Sequence, residues 1–221
     1  FEAMGRTAGW LALATAYGHP DFIVLPEWPL DVDALVDAIA ARYTDRGNVV
    51  VVVAEGAIGP DGRPLAESGD VDAFGHRRLG GCSQWLADQL KSRVAHDGGV
   101  SAGNISAVIP SYMQRCGRPT AFDRDRAIEL GRAAAAAVAA GENNRVACPV
   151  LDGDTLATTT HDVGDVLLRD AGGTIIPRTV DPRLYDADSF SITSAGRDYF
   201  EPLLGPVGDD YCDAELTPFT G

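Results

Sequence analysis

Three short segments of the chain carry side chains suited to binding a phosphorylated sugar. Glu55 follows a run of valines, Val49–Val53, and Tyr112 and Arg115 follow another short apolar segment. The Met-Gly-Arg turn at residues 4–6 adds a second arginine and free backbone N–H groups, which together can hold a phosphate. A carboxylate accepts hydrogen bonds from sugar hydroxyls, and arginines bind the phosphate. These residue types are therefore consistent with a sugar-phosphate site.

Each segment alone also has a purely structural interpretation. A glutamate that follows a strand is often a solvated or helix-capping carboxylate. A Tyr-x-x-Arg spacing or a Met-Gly-Arg turn has little specificity by itself. The interpretation as a binding site therefore depends on the three segments meeting in the folded chain.

The elements that must bring the segments together alternate along the chain. Short apolar runs predict buried strands, and the segments between them have helical spacing and plausible caps, such as Asp31 before a helix and Gly47 after it. The predicted strands are Phe22–Pro26, Val49–Val53, Ser106–Ile109 and Val146–Leu151, and the predicted helices are Ala3–Ala16, Asp31–Arg46, Leu79–Val94 and Asp123–Ala140. This alternation predicts an α/β fold with a mainly parallel sheet, in which residues after the strands gather at one edge.

The last third of the chain has a different composition. Residues 152–221 are richer in Gly, Pro and Asp, with possible strand pieces at Thr155–Thr160 and Thr174–Pro177 and a helix near Thr193–Leu204. We therefore predict two regions, a domain over residues 1–151 and a C-terminal extension, residues 152–221, packed on it.

Charge and cysteine content narrow the classes of partner. The formal net charge is -14, from 32 acidic and 18 basic residues, so nucleic acid and anionic membranes are poor partners. The 4 cysteines form no C-x-x-C pair, which predicts free, mostly buried thiols in a reducing cytoplasm and no metal site. No apolar stretch approaches the roughly 20 residues that span a bilayer, and no signal-peptide pattern opens the chain.

The ordered combination of motifs resembles the phosphofructokinase family, most closely its pyrophosphate-dependent branch. The resemblance covers nearly the whole chain and includes a C-terminal segment, Asp188–Leu204, like that of some pyrophosphate-dependent members. The motifs that carry it are Glu2-Ala-Met-Gly-Arg-Thr-Ala-Gly-Trp10, Ala54-Glu-Gly-Ala57, Asp72-Ala-Phe-Gly-His-Arg-Arg-Leu-Gly-Gly81 and Pro110-Ser-Tyr-Met-Gln-Arg115.

The resemblance implies a three-layer phosphofructokinase-like α/β domain and a set of residues that bind fructose 6-phosphate. In the family's pattern, Arg6 is also a candidate to stabilise the transition state. Two positions depart from that pattern: Thr7 replaces a usual His, and Ser106 stands where relatives often carry a basic residue that reaches a neighbouring subunit's phosphate. The implied substrate-binding residues are Met4, Gly5, Arg6, Glu55, Tyr112 and Arg115.

Two motifs that the family uses for phosphoryl transfer are absent from these 221 residues. Neither the T-I-D-N-D segment with the catalytic aspartate nor the G-G-D-x-P donor loop occurs. The resemblance thus implies the acceptor half of a glycolytic enzyme that transfers a phosphoryl group from pyrophosphate, with Mg²⁺ bound mainly by an upstream half, to fructose 6-phosphate. It also implies an N-terminal half or second chain as a partner, and a homo-oligomer. The alternatives are a non-catalytic sugar-phosphate-sensing subunit and an ATP-dependent 6-phosphofructokinase.

Overall fold

The computed structural model describes residues 1–71, 77–79, 81–97, 104–152 and 155–204. Contacts divide the chain into two compact units: unit 1 comprises residues 1–117 and 167–197, and unit 2 comprises residues 118–166 and 198–221. Within the described ranges, no helix is long and apolar enough to cross a membrane.

The described part of the chain contains α-helices, 3₁₀ turns and strands. The helices are α1 (Trp10–Ala14), α2 (Val32–Arg46), α3 (Cys82–Asp97), α4 (Ala121–Ala139), α5 (Val163–Val166) and α6 (Ser194–Leu204), with 3₁₀ turns at Thr15–Gly18, Ser111–Arg115 and Pro182–Leu184. The strands are β1 (Glu2–Ala3), β2 (Phe22–Val24), β3 (Val51–Ala54), β4 (Glu67–Val71), β5 (Arg77–Leu79), β6 (Arg145–Asp152), β7 (Thr155–Asp162), β8 (Tyr185–Asp186) and β9 (Ser191–Ile192).

Unit 1 is built on a parallel sheet with the strand order β1-β3-β2. Glu2 pairs with Val53 and Ala3 with Ala54, so β1 and β3 end side by side. The valine-rich β3 is central and buried, as its continuous apolar run predicts. The residues that directly follow β1 and β3 therefore emerge together at the carboxyl edge of the sheet.

Helices α2 and α3 bury the same apolar core with β2 and β3. The core cluster includes Val24, Leu35, Val53, Leu86 and Leu90. At the start of α2, the Asp31 carboxylate accepts hydrogen bonds from the N–H groups at positions 33 and 34, and Gly47 ends the helix with a left-handed φ of 73°. Both predicted caps are thus confirmed.

The returning segment, residues 167–197, completes unit 1 beside β2. The Ile23 N–H donates to the Phe190 carbonyl over 2.7 Å. The buried Tyr185 hydroxyl donates to the Ile23 carbonyl over 2.6 Å. These bonds pair the outer edge of β2 with late parts of the chain.

Unit 2 contains helix α4 and an antiparallel hairpin. Strands β6 and β7 pair along their whole length, from Arg145 opposite Asp162 to Asp152 opposite Thr155. Helix α4 packs on both strands. The Thr120 hydroxyl caps α4 by accepting the Asp123 N–H.

Two predicted elements differ in the structure because pairing at a distance overrides the local pattern. The predicted helix Ala3–Ala16 is wrong for residues 3–9: Ala3 lies in β1, which pairs with β3, and the helix begins only at Trp10. The predicted strand Ser106–Ile109 is irregular, although its Val108 carbonyl accepts the Glu2 N–H over 2.9 Å.

The predicted boundary at residue 151 falls within the β6–β7 hairpin. The compact units divide instead near residues 117 and 166, and again near residue 197. The strand piece predicted at Thr174–Pro177 is a single bridge, Ile175 opposite Arg169, whereas the piece at Thr155–Thr160 is part of β7. Residues 205–221 of the predicted extension lie outside the described residues.

Candidate active site

The Met-Gly-Arg turn and Glu55 meet at the carboxyl edge of the sheet in unit 1. The Glu55 N–H donates to the Ala3 carbonyl over 2.8 Å, which continues the β1–β3 ladder beyond the strand ends. The Glu55 carboxylate accepts the Gly5 N–H through Oε1 at 3.2 Å. Two of the three predicted segments are therefore joined by direct hydrogen bonds.

Gly56 permits the close approach of these two segments. Its N–H donates to the Gly5 carbonyl over 3.1 Å. A Cβ atom at position 56 would lie 1.9 Å from the Arg6 carbonyl oxygen, well inside van der Waals contact. Only glycine fits at this position without moving the turn that carries Arg6.

Gln114 joins the third segment to the same edge. Its side-chain Oε1 accepts the Met4 N–H over 3.0 Å, and its Nε2 donates to the Glu2 carbonyl over 3.2 Å. A primary amide can make this pair of bonds because it is both donor and acceptor. The 3₁₀ turn Ser111–Arg115 is thereby fixed against the end of β1.

Tyr112 and Arg115 lie on the turn that Gln114 anchors, and both side chains are exposed. Tyr112 is 71% exposed. Ser111, at the start of this turn, has φ 50°, a left-handed conformation that is uncommon outside glycine. Arg6 is exposed too, whereas Glu55 is half-buried. The structure thus brings all three predicted segments to one edge and leaves the cationic groups accessible to solvent.

Sequence reasoning did not identify Gln114 or Glu2 as residues that organise the site. Glu2 is only 6% exposed, and its Oε2 accepts hydrogen bonds from the N–H groups of Gly81 and Ser83 and from the Ser83 hydroxyl at 2.9, 3.1 and 3.4 Å. A carboxylate at a helix N-terminus is favourable because free N–H groups point towards it. Glu2 therefore fixes β1 to the start of α3. The sequence signal that could have identified both residues was a long polar side chain within one of the quoted motifs.

Cys82, the first residue of α3, is not a nucleophile in this arrangement. Its side chain is fully buried, and its thiol donates to the Glu55 carbonyl over 3.1 Å. Burial, and after it the negative charge of Glu2, raises the pKa of this thiol to about 11. Of the other cysteines in the described ranges, Cys116 is exposed and Cys148 is half-buried, so the prediction of mostly buried thiols is wrong for Cys116.

A cavity of about 610 Å³ is lined by none of the six candidate substrate-binding residues. It is lined by α2, α3, β3 and residues 104–108 and includes apolar side chains such as Val36 and Leu86. Ser106 contributes to this lining. The motif Asp72–Gly81 lies largely outside the described residues. Within the described ranges, no group of three or more His, Cys, Asp or Glu side chains could hold a metal ion.

Comparisons with known proteins identify the family of the chain. The phosphofructokinase family profile matches residues 1–138. The chain is 36% identical over 186 residues to the pyrophosphate--fructose 6-phosphate 1-phosphotransferase of Amycolatopsis methanolica, covering 84% of this chain and 49% of that protein. It is 34% identical over 163 residues to the ATP-dependent 6-phosphofructokinase of Corynebacterium efficiens, covering 73% of this chain and 44% of that protein.

A solved structure shares the fold. The chain aligns with the pyrophosphate-dependent phosphofructokinase of Marinobacter aquaeolei with a TM-score of 0.70 and 23% identity, over 94% of this chain and 49% of the other. The predicted α/β fold is thus confirmed, and the chain spans about half the length of the relatives it matches. Because the family profile covers more than half of its residues, including all three segments of the site, the chain belongs to the phosphofructokinase family.

Proposed function

We propose that this chain supplies the fructose 6-phosphate site of a pyrophosphate-dependent phosphofructokinase, diphosphate–fructose-6-phosphate 1-phosphotransferase. The complete enzyme transfers a phosphoryl group from pyrophosphate to the sugar 1-hydroxyl and gives fructose 1,6-bisphosphate, a step of glycolysis in the cytoplasm. The observation that carries the proposal is the pair of Gln114 hydrogen bonds, which fix the Tyr112–Arg115 turn beside the Met4–Arg6 turn.

Each proposed binding residue has a distinct task. Glu55 accepts hydrogen bonds from sugar hydroxyls, while the backbone of Met4 and Gly5 positions the sugar. Arg115, with Tyr112 beside it, binds the 6-phosphate. Arg6 lies near the reacting end of the sugar and offsets charge that develops in the transition state.

We propose that the rest of the enzyme binds the phosphoryl donor and the metal ion. Phosphoryl transfer depends on positioning and on neutralising negative charge, for which Mg²⁺ is the usual ion. Because no metal-binding group of acidic side chains occurs in the described part of this chain, we assign no step to Mg²⁺ here and propose that an upstream half holds it. Without that half and its catalytic base, we expect no turnover from the chain alone.

Two alternatives are left open by the sequence. The 34% identity to the Corynebacterium efficiens enzyme favours ATP as the donor in a related protein. The second alternative is a non-catalytic sugar-phosphate-sensing subunit. We prefer pyrophosphate as the phosphoryl donor because the Amycolatopsis methanolica relative, which is 36% identical, is named as a pyrophosphate-dependent enzyme.

The test is titration calorimetry of the 221-residue chain with fructose 6-phosphate. We expect weak binding by the wild type and a further loss of affinity of about tenfold in Glu55→Gln, since a charge-assisted hydrogen bond contributes roughly 1.5–3 kcal/mol. The matched control is Glu201→Gln, at an exposed position outside unit 1. Unchanged affinity in Glu55→Gln would remove this carboxylate from the site, and turnover of either donor by the chain alone would contradict the assignment of the catalytic base to another half.

A further inference from the structure

Glu27 lies just beyond the end of β2, at the carboxyl edge of the sheet where Glu55 follows β3. Its carboxylate is half-buried, and Oε1 accepts the N–H groups of Gly9 and Val180, each over 2.9 Å. The other oxygen, Oε2, is buried and has no hydrogen-bond partner among the described residues. Both bonds of this side chain therefore go through one oxygen to two backbone groups that are distant in sequence.

The bond to Gly9 caps helix α1 from outside the helix. Gly9 is the N-cap residue of α1, and no side chain within the helix caps it. In a capping box, a glutamate of the helix itself accepts the N–H of the N-cap residue. Here the glutamate comes from the end of β2, so the bond ties the start of α1 to the sheet. A Cβ atom at position 9 would lie 2.7 Å from Leu25 Cδ2, and glycine therefore permits this close approach.

The bond to Val180 brings the returning segment to the same oxygen. Val180 is buried, and close to it the Arg178 carbonyl accepts the indole N–H of Trp10 over 2.7 Å. Gly9 and Trp10 are neighbours at the start of α1. The start of this helix is thus fixed to residues 178–180 twice, once through Glu27 and once directly.

These contacts fix the far end of the turn that carries Arg6. At its near end, the Met4 N–H donates to Gln114 and the Gly5 N–H donates to Glu55. At its far end, the Gly9 N–H donates to Glu27. A segment held at both ends samples fewer conformations than one held at a single end. Without Glu27, the Gly9 N–H is left buried and without its acceptor, a cost that the turn relieves by shifting.

We propose that Glu27 is a positioning residue for Arg6, which it holds in place through the backbone of residues 4–9, an inference that rests on the proposed function. Glu27 is not one of the proposed substrate-binding residues, and its effect on the sugar phosphate is indirect. The length of the side chain and its acceptor oxygen carry this role, rather than its charge. Glutamine keeps both features, whereas aspartate keeps the charge but is one methylene too short to reach both N–H groups.

The first measurement is hydrogen exchange, followed by mass spectrometry, on the 221-residue chain without ligand. The matched control is Asp31→Ala, because the Asp31 carboxylate also accepts two backbone N–H groups in unit 1, at the start of α2. A general loss of stability affects both variants alike. We expect Glu27→Ala to accelerate exchange of residues 4–9 about tenfold relative to Asp31→Ala.

The second measurement is calorimetry with fructose 6-phosphate on the same chain. We expect Glu27→Ala and Glu27→Asp to raise the dissociation constant about tenfold, and Glu27→Gln to raise it no more than about threefold. Asp31→Ala should leave it unchanged. If Glu27→Ala does not fold, the comparison of Glu27→Gln with Glu27→Asp decides both measurements.

Equal exchange of residues 4–9 in Glu27→Ala and Asp31→Ala would overturn the proposal, because Glu27 would then contribute only to general stability. Glu27→Gln as weak in binding as Glu27→Asp would also overturn it, since the role would then depend on charge. Absence of fructose 6-phosphate binding by the wild-type chain would contradict the proposed function, whereas the exchange measurement, which needs no ligand, would still decide whether Glu27 holds the turn.

Discussion

Gln114 is the side chain on which the geometry of the candidate site depends. Its amide satisfies one N–H and one carbonyl of β1 and its following turn, and the 3₁₀ turn with Tyr112 and Arg115 is held by that contact. Without the amide, the Met4 N–H loses its partner and the turn is free to shift. Gln114 is therefore a positioning residue.

We predict that Gln114→Ala raises the dissociation constant for fructose 6-phosphate about fivefold to tenfold, the size expected for one or two lost neutral hydrogen bonds. Gln114→Glu should behave similarly, because a carboxylate cannot donate to the Glu2 carbonyl. The control is Gln84→Ala, whose amide donates to Asp88 on the surface of α3. Calorimetry checks this, and an unchanged dissociation constant in Gln114→Ala would show that the turn holds its place without the amide.

The two arginines should separate in the kinetics of the complete enzyme. In the proposed site Arg115 binds a phosphate that does not react, so Arg115→Ala should mainly raise KM for fructose 6-phosphate. The proposed function places Arg6 near the reacting centre, so Arg6→Ala should also lower kcat. Arg115→Lys should restore KM only in part, since an ammonium keeps the charge but not the two-pronged geometry. Steady-state kinetics decides this, and a wild-type KM in Arg115→Ala would exclude that residue from the phosphate site.

Sequence reasoning named candidate ligand-binding residues but not the residues that hold their segments in place. Glu55 and Arg115 belong to types whose chemistry is evident, and a strand end is where such types gather. Gln114 and Glu2 act through backbone groups that are distant in sequence, and a single sequence does not reveal those partners. The substrate-binding roles of the six named residues stay predictions.

At the scale of elements, the start of α3 shows how burial, and after it a neighbouring charge, raises the pKa of a thiol. A helix N-terminus ordinarily lowers the pKa of a cysteine. Here the carboxylate of Glu2 already occupies the free N–H groups of this terminus, and burial removes water from Cys82. With its pKa near 11, Cys82 is almost entirely protonated at neutral pH.

We predict that a thiol reagent at pH 8 modifies Cys116 rapidly and Cys82 only after unfolding. With a pKa of about 11, roughly 0.1% of Cys82 is thiolate at pH 8. Because the folded pKa lies above the ordinary thiol value of 9.0, Cys82 stabilises the fold fully below pH 9, and this contribution is lost as the pH rises towards 11. Peptide mass spectrometry after timed labelling measures the order, and rapid native labelling of Cys82 would contradict it.

Elements with a strong local signal were predicted well, including the buried strands β2 and β3, whereas the first helix was not. Helix α2 ends where Asp31 and Gly47 predict, since a cap is a local interaction. The first predicted helix was wrong because Glu2 and Ala3 gain a parallel partner, β3, that lies far along the chain. Tertiary pairing outweighs helix propensity there.

At the scale of the whole molecule, the domain boundary at residue 151 stays a prediction, and the two compact units are a separate observation. Composition changes near residue 152, but the contacts divide the chain near residues 117 and 166. Amino-acid composition describes neighbouring residues along the sequence, whereas a compact unit is defined by contacts between segments that are distant in sequence. The strongly negative charge of the whole chain is compatible with an anionic ligand only because the candidate arginines are concentrated in two turns.

The closing bonds of unit 1 set an order of events during protein synthesis. The Val180 N–H donates to the Glu27 carboxylate across 153 positions of sequence, and the Phe190 carbonyl pairs with the edge of β2. A ribosome adds about 5–20 residues per second, so roughly 8–30 s pass between the synthesis of β2 and the synthesis of these partners. For that period it is an open edge strand, and such edges pair readily with other chains. The nascent polypeptide is thus most prone to aggregation until this late segment has left the exit tunnel, the interval in which a chaperone would protect it.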